Sequence, residues 1–424
     1  MIRIAQFSDL HYSAKNLAEA DRCFSFAVDR AIDMKVDAAV ISGDATDHAL
    51  DVHAPAVERL ARNVRRLTEH CPVLMLQGTY SHEPPGTLSI FGLLGGRYGV
   101  HIADRIGQVG LTPEGRWIAS DSWCFDRVPN DMRALFSCLP TVNKATVAAT
   151  VGASAAAQAV GEQLGLLLRG FAPINQAARE MDVSTIGVSH GTVFGCLTEH
   201  GVPMAGFDHE FTTGALFGAH AQAFMLGHIH RHQGWEANGQ LIAYPGSIGR
   251  FHYGEEGEKG FLLWEIGAQA ARFVFQPTPA RLTIDIFFEG KPDLEEIRAL
   301  SASQAIEGAF VRVRWNVPDE DRHEIDRAAI QRMLDAAAEV KLEGRIVPVI
   351  RTRASGISQC ATIADKVRAW AKATEAKSDP LLACLEALQS SSPETIAAGV
   401  LDRQTAPDEW APTNIAAEAT PELF

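Results

Sequence analysis

Two histidines, His228 and His230, stand one residue apart after the apolar run Ala223-Phe224-Met225-Leu226 and a glycine, Gly227. In extended backbone, residues i and i+2 project to the same side, so both imidazoles can enter one pocket while Ile229 turns back to the core. Asp9 and His11 repeat that spacing after the apolar start of the chain, Asp44 follows Ser42-Gly43, and His190 follows Ser184–Val188. Alone, each is commonplace: a Gly-Asp is usually a turn, and a lone histidine is usually a cap or a satisfied core residue. Their joint occurrence at successive strand ends points instead to a metal centre. Mixed imidazole and carboxylate donors suit Mn²⁺, Fe²⁺ or Zn²⁺ better than Ca²⁺ or Mg²⁺. Five or six ligands exceed what one tetrahedral ion needs, and a central carboxylate, Asp44, can bridge two ions held ~3.5–4 Å apart. Such a pair clamps phosphate oxygens and lowers the pKa of a bridging water, so the natural reaction is metal-dependent hydrolysis of a phosphoester.

The surrounding pattern can present residues in this way. Met1–Phe7 reads as a strand, 17–34 as a helix, 36–41 as a strand, 54–69 as a helix and 73–76 as a strand. Alternating strand and helix is the signature of a parallel α/β sheet, which gathers ligands at the carboxyl ends of its strands. From Val100 the strands shorten, a helix-prone stretch runs from Asn143 to Met181, and Pro277 and Pro279 mark a boundary. A second unit then reads strand (282–288), helix (294–301), strand (310–315), helix (321–339) and strand (345–351). Two short amphipathic helices follow (363–375 and 379–388), with a loose tail from Ser390.

With 424 residues, 46% hydrophobic and 21% charged, the chain reads as a soluble protein of two or three domains. No apolar run reaches membrane-spanning length, and Arg3 and Asp9 argue against a signal peptide. Seven scattered cysteines without a Cys-x-x-Cys pair fit reduced thiols in the cytoplasm. A formal charge of −14 excludes a generally basic nucleic-acid binder, though not an enzyme whose cations handle phosphates.

Asp9-x-His11, Gly43-Asp44-x-x-Asp47, Gly78…His82-Glu83, His190 and Gly227-His228-x-His230 together resemble the calcineurin-like metallophosphoesterases. Tyr244-Pro245-Gly246-Ser247-Ile248-Gly249-Arg250, Tyr253-Gly254-Glu255 and Lys259-Gly260-Phe261 resemble the SbcD/Mre-type DNA-repair exonucleases within them. The resemblance implies a four-layer α/β/β/α sandwich over 1–279, a smaller α+β capping domain over 280–355, and a helical segment and tail over 356–424 that binds an ATPase partner. It implies two divalent ions, Mn²⁺ foremost, one held by Asp9, His11, Asp44 and His230, the other by Asp44, His190 and His228. Asp47 would orient a ligand, and His82 would stabilise the transition state and protonate the leaving oxygen. Where the family reads Gly-Asn-His, this chain has Gly78-Thr79-Tyr80-Ser81-His82, two residues longer. Keeping His82-Glu83 in register puts Ser81 in place of the asparagine ligand; either the loop bulges to preserve the geometry, or His82 itself becomes a ligand. Arg231, Ser247 and Arg250 are candidate substrate contacts.

Three functions compete. One is a DNA exo/endonuclease subunit, possible homodimer included, working with an SbcC-like ATPase of the SMC type. The second is a phosphoesterase acting on nucleotides or other small phosphoesters on the same fold, which the acidic net charge favours. The third is a structural partner with a degraded site, suggested by the altered loop at 78–83.

Overall fold

The computed structural model describes residues 1–48, 50–142, 153–203, 210–255, 257–302, 306–347 and 356–404. Among these, the chain forms two compact units, one of Met1–Val317 with Asp321–Arg345, the other of Pro318–Glu320 with the residues from Ile346 onward.

In the first unit, β1 (Ile2–Phe7), β2 (Ala38–Ile41), β3 (Val73–Leu76) and β4 (Val100–Ala103) run parallel, side by side. The connections are α1 (Leu17–Asp33) and α2 (Pro55–Thr68), each laying one apolar face on the sheet: Ala20, Phe24, Ala27, Val28 and Ala31 from α1, Leu60, Val64 and Leu67 from α2. A proline at the first turn of α2 suits the point where a helix needs no backbone donor.

The second sheet contains β5 (Gly107–Leu111), β6 (Trp117–Ala119), β7 (Ala134–Leu139), β8 (Ser184–His190), β9 (Ala223–Gly227), β10 (Gln233–Ala237) and β11 (Gln240–Tyr244), in the order β10-β11-β9-β8-β7-β5-β6. Then β12 (Gly260–Ile266) and β13 (Ala271–Pro277) return antiparallel to the free side of β1. The two sheets bury Ile4, Val40 and Leu76 against Phe136, Val188 and Met225. Helices α3 (Ala153–Glu180) and α4 (Thr213–Phe217) cover the second sheet through Leu164, Leu168 and Leu216. The result is the expected four-layer α/β/β/α arrangement. Residues 143–152, read from sequence as the start of the long helix, lie outside the described residues.

The α+β module belongs to the first unit. It contains β14 (Thr283–Glu289), α5 (Leu294–Ser301), β15 (Phe310–Pro318), α6 (Arg327–Met333) and β16 (Glu339–Val347), packed around Ile297, Val311, Val313, Trp315 and Ile330. The predicted helix 321–339 is shorter than its alanines suggested. Gly308 N–H donates to Ala336 O, and Ala338 N–H donates to Ala309 O, so tertiary hydrogen bonds draw Ala336–Ala338 out of the helix and β16 starts at Glu339. Residues 348–351 of the predicted final strand lie outside the described residues.

Glu19 of α1 anchors the start of this module. Its buried carboxylate accepts from the backbone N–H of Arg250 (3.0 Å) and Arg281 (2.8 Å), lies 3.1 Å from Arg281 Nε, and also pairs with Arg22.

In the second unit, α7 (Ile363–Ala373) and α8 (Ser378–Ser390) carry Ile363, Val367, Trp370, Leu381, Leu385 and Leu388 around an apolar cavity of about 380 Å³. A further helix, α9 (Pro393–Gln404), occupies what the sequence suggested was loose tail. The rest of that tail, 405–424, lies outside the described residues. No helix among the described residues is long and apolar enough to cross a membrane.

Candidate metal centre

The candidate ligands stand where strands stop. Asp9 and His11 follow β1, Asp44 follows β2, His190 ends β8, and His228 and His230 follow β9. All but the two histidines after β9 are nearly or fully buried. Asp9, His11, Asp44 and His228 have φ values of 52°, 46°, 50° and 104°. Left-handed backbone at residues other than glycine costs on the order of 1 kcal/mol each and persists only where neighbours enforce it. Here Asp9 N–H donates to Gly43 O at 3.1 Å and His11 N–H to Asp44 O at 3.0 Å, locking the first two loops together. Gly78 and Gly227 permit the closest approaches. A Cβ on Gly78 would lie 2.2 Å from Asp44 Oδ1, and one on Gly227 would lie 2.1 Å from Ser42 O.

Among the described residues, donor atoms of Asp9, His11 and His230 lie within 4.8 Å of one another, as do those of Asp44, His190 and His228, and those of His11, Asp44 and His82. Asp44 is therefore common to two groups. The hydrogen bonds on the outer nitrogens fit cation binding. His190 Nδ1 meets Ser42 O at 2.8 Å, which requires a proton on Nδ1 and leaves the Nε2 lone pair of the neutral ring toward Asp44. His230 Nδ1 meets Glu255 Oε1 at 3.2 Å, likewise turning its Nε2 inward. That nitrogen faces His11 Nε2 at 2.9 Å, a contact that calls for a proton or a cation between the two rings. The donor set thus fits two divalent ions.

The electrostatics agree with that fit. Burial works against a charged His190, yet the carboxylates of Asp44 and Asp9 raise it to about 10. Burial and the neighbouring His230 hold His11 well below its ordinary value. Burial and the Asp44 charge raise the Glu83 carboxyl to about 7. Asp9 is raised, chiefly by burial. Crowded like this, the side chains have a place for positive charge among them.

The loop after β3 resolves one expectation differently. Ser81 is exposed. Thr79 instead reaches the centre: its hydroxyl lies 3.2 Å from Asp44 Oδ2 and 3.2 Å from His190 Nε2, and its N–H donates to Asp44 Oδ1 at 2.6 Å. Counting back from His82 misled, because the extra residues bulge outward after Thr79 and the position directly after Gly78 stays at the centre. Glu83 staples the loop down, accepting from Ala45 N–H (2.6 Å), Thr46 N–H (3.3 Å) and Gly78 N–H (2.6 Å). His82 is half-buried, with Nδ1 2.8 Å from Asp44 Oδ2 and Nε2 3.8 Å from Asp47 Oδ1. Its hydrogen bond to Asp44 raises its pKa against the effect of burial. Asp47 accepts from Asn16 Nδ2 at 3.4 Å and meets His48 Nδ1 at 2.6 Å.

Two expected substrate contacts are turned inward. The Arg250 guanidinium donates to the carbonyls of Glu255 (3.2 Å), Gly257 (2.6 Å) and Arg281, and Ser247 Oγ donates to Gly249 O at 2.9 Å. Both brace the turn after β11. Arg231 is partly exposed between His230 and His232. Tyr244 also braces: its hydroxyl donates to Gly191 O at 2.6 Å and accepts from Val193 N–H at 3.1 Å, fixing the chain just after His190. Sequence reasoning assigned no role to Thr79 or to the pair Glu255 and Lys259. The position of Thr79 directly after Gly78 was the available signal for the first. His252 also lies with His230 and Glu255.

No family model matches the chain. A stretch of 146 residues is 30% identical to the uncharacterized metallophosphoesterase YhaO of Bacillus subtilis (strain 168), covering 33% of this chain and 33% of that protein. The chain therefore spans about a third of the length of that curated relative. Solved structures with partial likeness include GAP50, the anchor in the inner membrane complex of Plasmodium (TM-score 0.39, 14% identity, 65% of this chain and 84% of that one). Another is a dimetal phosphatase from Danio rerio (TM-score 0.40, 11% identity, 65% of this chain and 98% of that one). Over the matched third, the sequence comparison supports kinship with metallophosphoesterases.

Proposed function

We propose that this protein is a metal-dependent phosphoester hydrolase. The observation that carries the proposal is Asp44, whose carboxylate stands beside His190 and His82 and belongs to both the His190–His228 group and the His11–His82 group. Asp9, His11, Asp44 and His230 would hold one divalent ion, and Asp44, Thr79, His190 and His228 the other. Such a pair supplies charge neutralisation at a phosphate and an activated water when bound. The chain's own residues do the rest. The Ser42 carbonyl and Glu255 orient His190 and His230, Glu83 holds the β3 loop against Asp44, and His82, with Asp47 beside it, would hand a proton to a leaving oxygen.

DNA is the finer reading of the substrate, with cleavage coupled to an SMC-type ATPase. It is supported by the resemblance carried by Tyr244–Phe261 and by the apolar cavity between α7 and α8, which suits a protein partner. Small phosphoesters are the second reading, favoured by the inward use of Arg250, which removes one cationic contact from a polynucleotide track. Hydrolysis of linear duplex DNA and of a small chromogenic phosphodiester, each with Mn²⁺ and with a chelator, separates the two. DNA cleavage is expected. Turnover of the small ester alone selects the second reading, and chelator-insensitive or absent activity on both removes the hydrolase proposal. Removing residues from Ile363 onward should abolish ATPase binding while sparing Mn²⁺-dependent hydrolysis; a folded truncation that loses both refutes that division.

A further inference from the structure

Two histidines of the centre, His230 and His190, are braced unequally. On one side, His230 Nδ1 meets a carboxylate, Glu255 Oε1, at 3.2 Å. Glu255 is itself buried and paired: Lys259 Nζ lies 2.7 Å from its Oε2 and donates to the His230 backbone carbonyl at 2.8 Å. One buried ion pair therefore fixes both the ring and the backbone of His230. The Glu255 and Lys259 side chains have no exposed surface. On the other side, His190 Nδ1 meets only a neutral carbonyl, that of Ser42, and a threonine hydroxyl lies beside the ring's inner nitrogen. A carboxylate behind a histidine fixes its tautomer and raises its basicity as a ligand more than a carbonyl does, and a neutral hydroxyl is a poor cation donor.

We propose that Glu255, held by Lys259, is a positioning residue for His230 and makes the cation held by Asp9, His11 and His230 the tighter of two unequal ions. The inference rests on the dinuclear reading above. Glu255 and Lys259 act through His230 and touch neither water nor substrate in this role. At low metal concentration the protein then carries one ion, on the Asp9 side, and fills the His190 side last.

Titrating metal-free, full-length protein with Mn²⁺, with free Mn²⁺ followed by electron paramagnetic resonance, tests this directly. Two binding phases are expected. Glu255→Gln should weaken the tighter phase about tenfold and leave the weaker one in place, whereas His228→Ala should remove only the weaker. Because Glu255→Gln leaves Lys259 buried without its counter-charge, the double variant Glu255→Leu with Lys259→Met, which removes the pair together, is the second probe and should give the same selective weakening. Equal phases in the unaltered protein overturn the proposal, as does a folded variant whose two phases shift together or not at all. Absence of any Mn²⁺ binding by the unaltered protein has a different meaning, removing the metal reading itself.

Discussion

The two sheets bring different chemistry to one mouth. The first contributes both carboxylates, Asp9 and Asp44, along with His11, Thr79 and His82; the second contributes imidazoles, His190, His228 and His230. The backbone differs as well. Among the candidate ligands, left-handed residues occupy three positions on the first sheet's side and only His228 on the second's. Strain and fixed negative charge are thus concentrated on one wall, and the facing wall supplies imidazoles, two of them oriented from behind by Ser42 O and Glu255. The charge a cation must meet is set by the first wall, and the geometry of its capture by the second.

The sharpest way to break this comparison is Asp44→Asn. Removing the shared carboxylate should eliminate both ions, read as metal content by atomic spectrometry, and with them all metal-dependent hydrolysis. Retention of one ion at full affinity would show that the walls bind independently. His82→Ala should lower turnover by roughly 10²–10⁴-fold, the usual range for a general acid, with metal content unchanged. Loss of an ion instead would make His82 a ligand of the first wall. Thr79→Ala should weaken one ion by about tenfold, while Ser81→Ala leaves both alone, measured by Mn²⁺ titration. The opposite ranking would return the role to Ser81.

The smallest expected effect is in stability. Glu83 is raised to about 7 and His190 to about 10 in the metal-free protein. Groups raised on folding contribute stability that is complete below their unfolded values and lost as pH climbs through the folded ones. Metal-free protein should therefore melt at progressively lower temperature between about pH 5 and pH 10, although the lowered His11 opposes this in the lower part of the range. Divalent ions should flatten the slope, since they neutralise the Asp44 charge that helps raise Glu83. Differential scanning calorimetry over that range, with and without Mn²⁺, measures it. An unchanged slope would mean that the first wall's charge is balanced within the protein.

Much of this was legible in the residues. Apolar strands closed by Asp-x-His, Gly-Asp and Gly-His-x-His announce both the parallel core and the cluster of side chains gathered at its strand ends, because period-two alternation and strand-end position are local properties. Which residue the bulged loop leaves at Asp44 was not legible, since that depends on where Glu83 finds its three backbone donors, two in the loop after β2 and one in its own. Nor was the inward turn of Arg250, whose carbonyl partners at Glu255, Gly257 and Arg281 are set by the return of β12 beside β1 and the entry into the α+β module. The helix expected at 321–339 failed for a similar reason: alanine propensity yields to tertiary hydrogen bonds.

Glu19 has a consequence for how this molecule can change over generations. Its carboxylate is buried, yet two of its partners, the N–H and the guanidinium of Arg281, belong to the start of the α+β module. A lineage that shed the module at Pro279 would leave that charge partly stranded. Breaking a buried pair from one side costs about 3–5 kcal/mol, a large part of a typical domain's whole stability. Loss of the module thus requires a prior or simultaneous change at Glu19, and a shortened descendant should carry a neutral residue there.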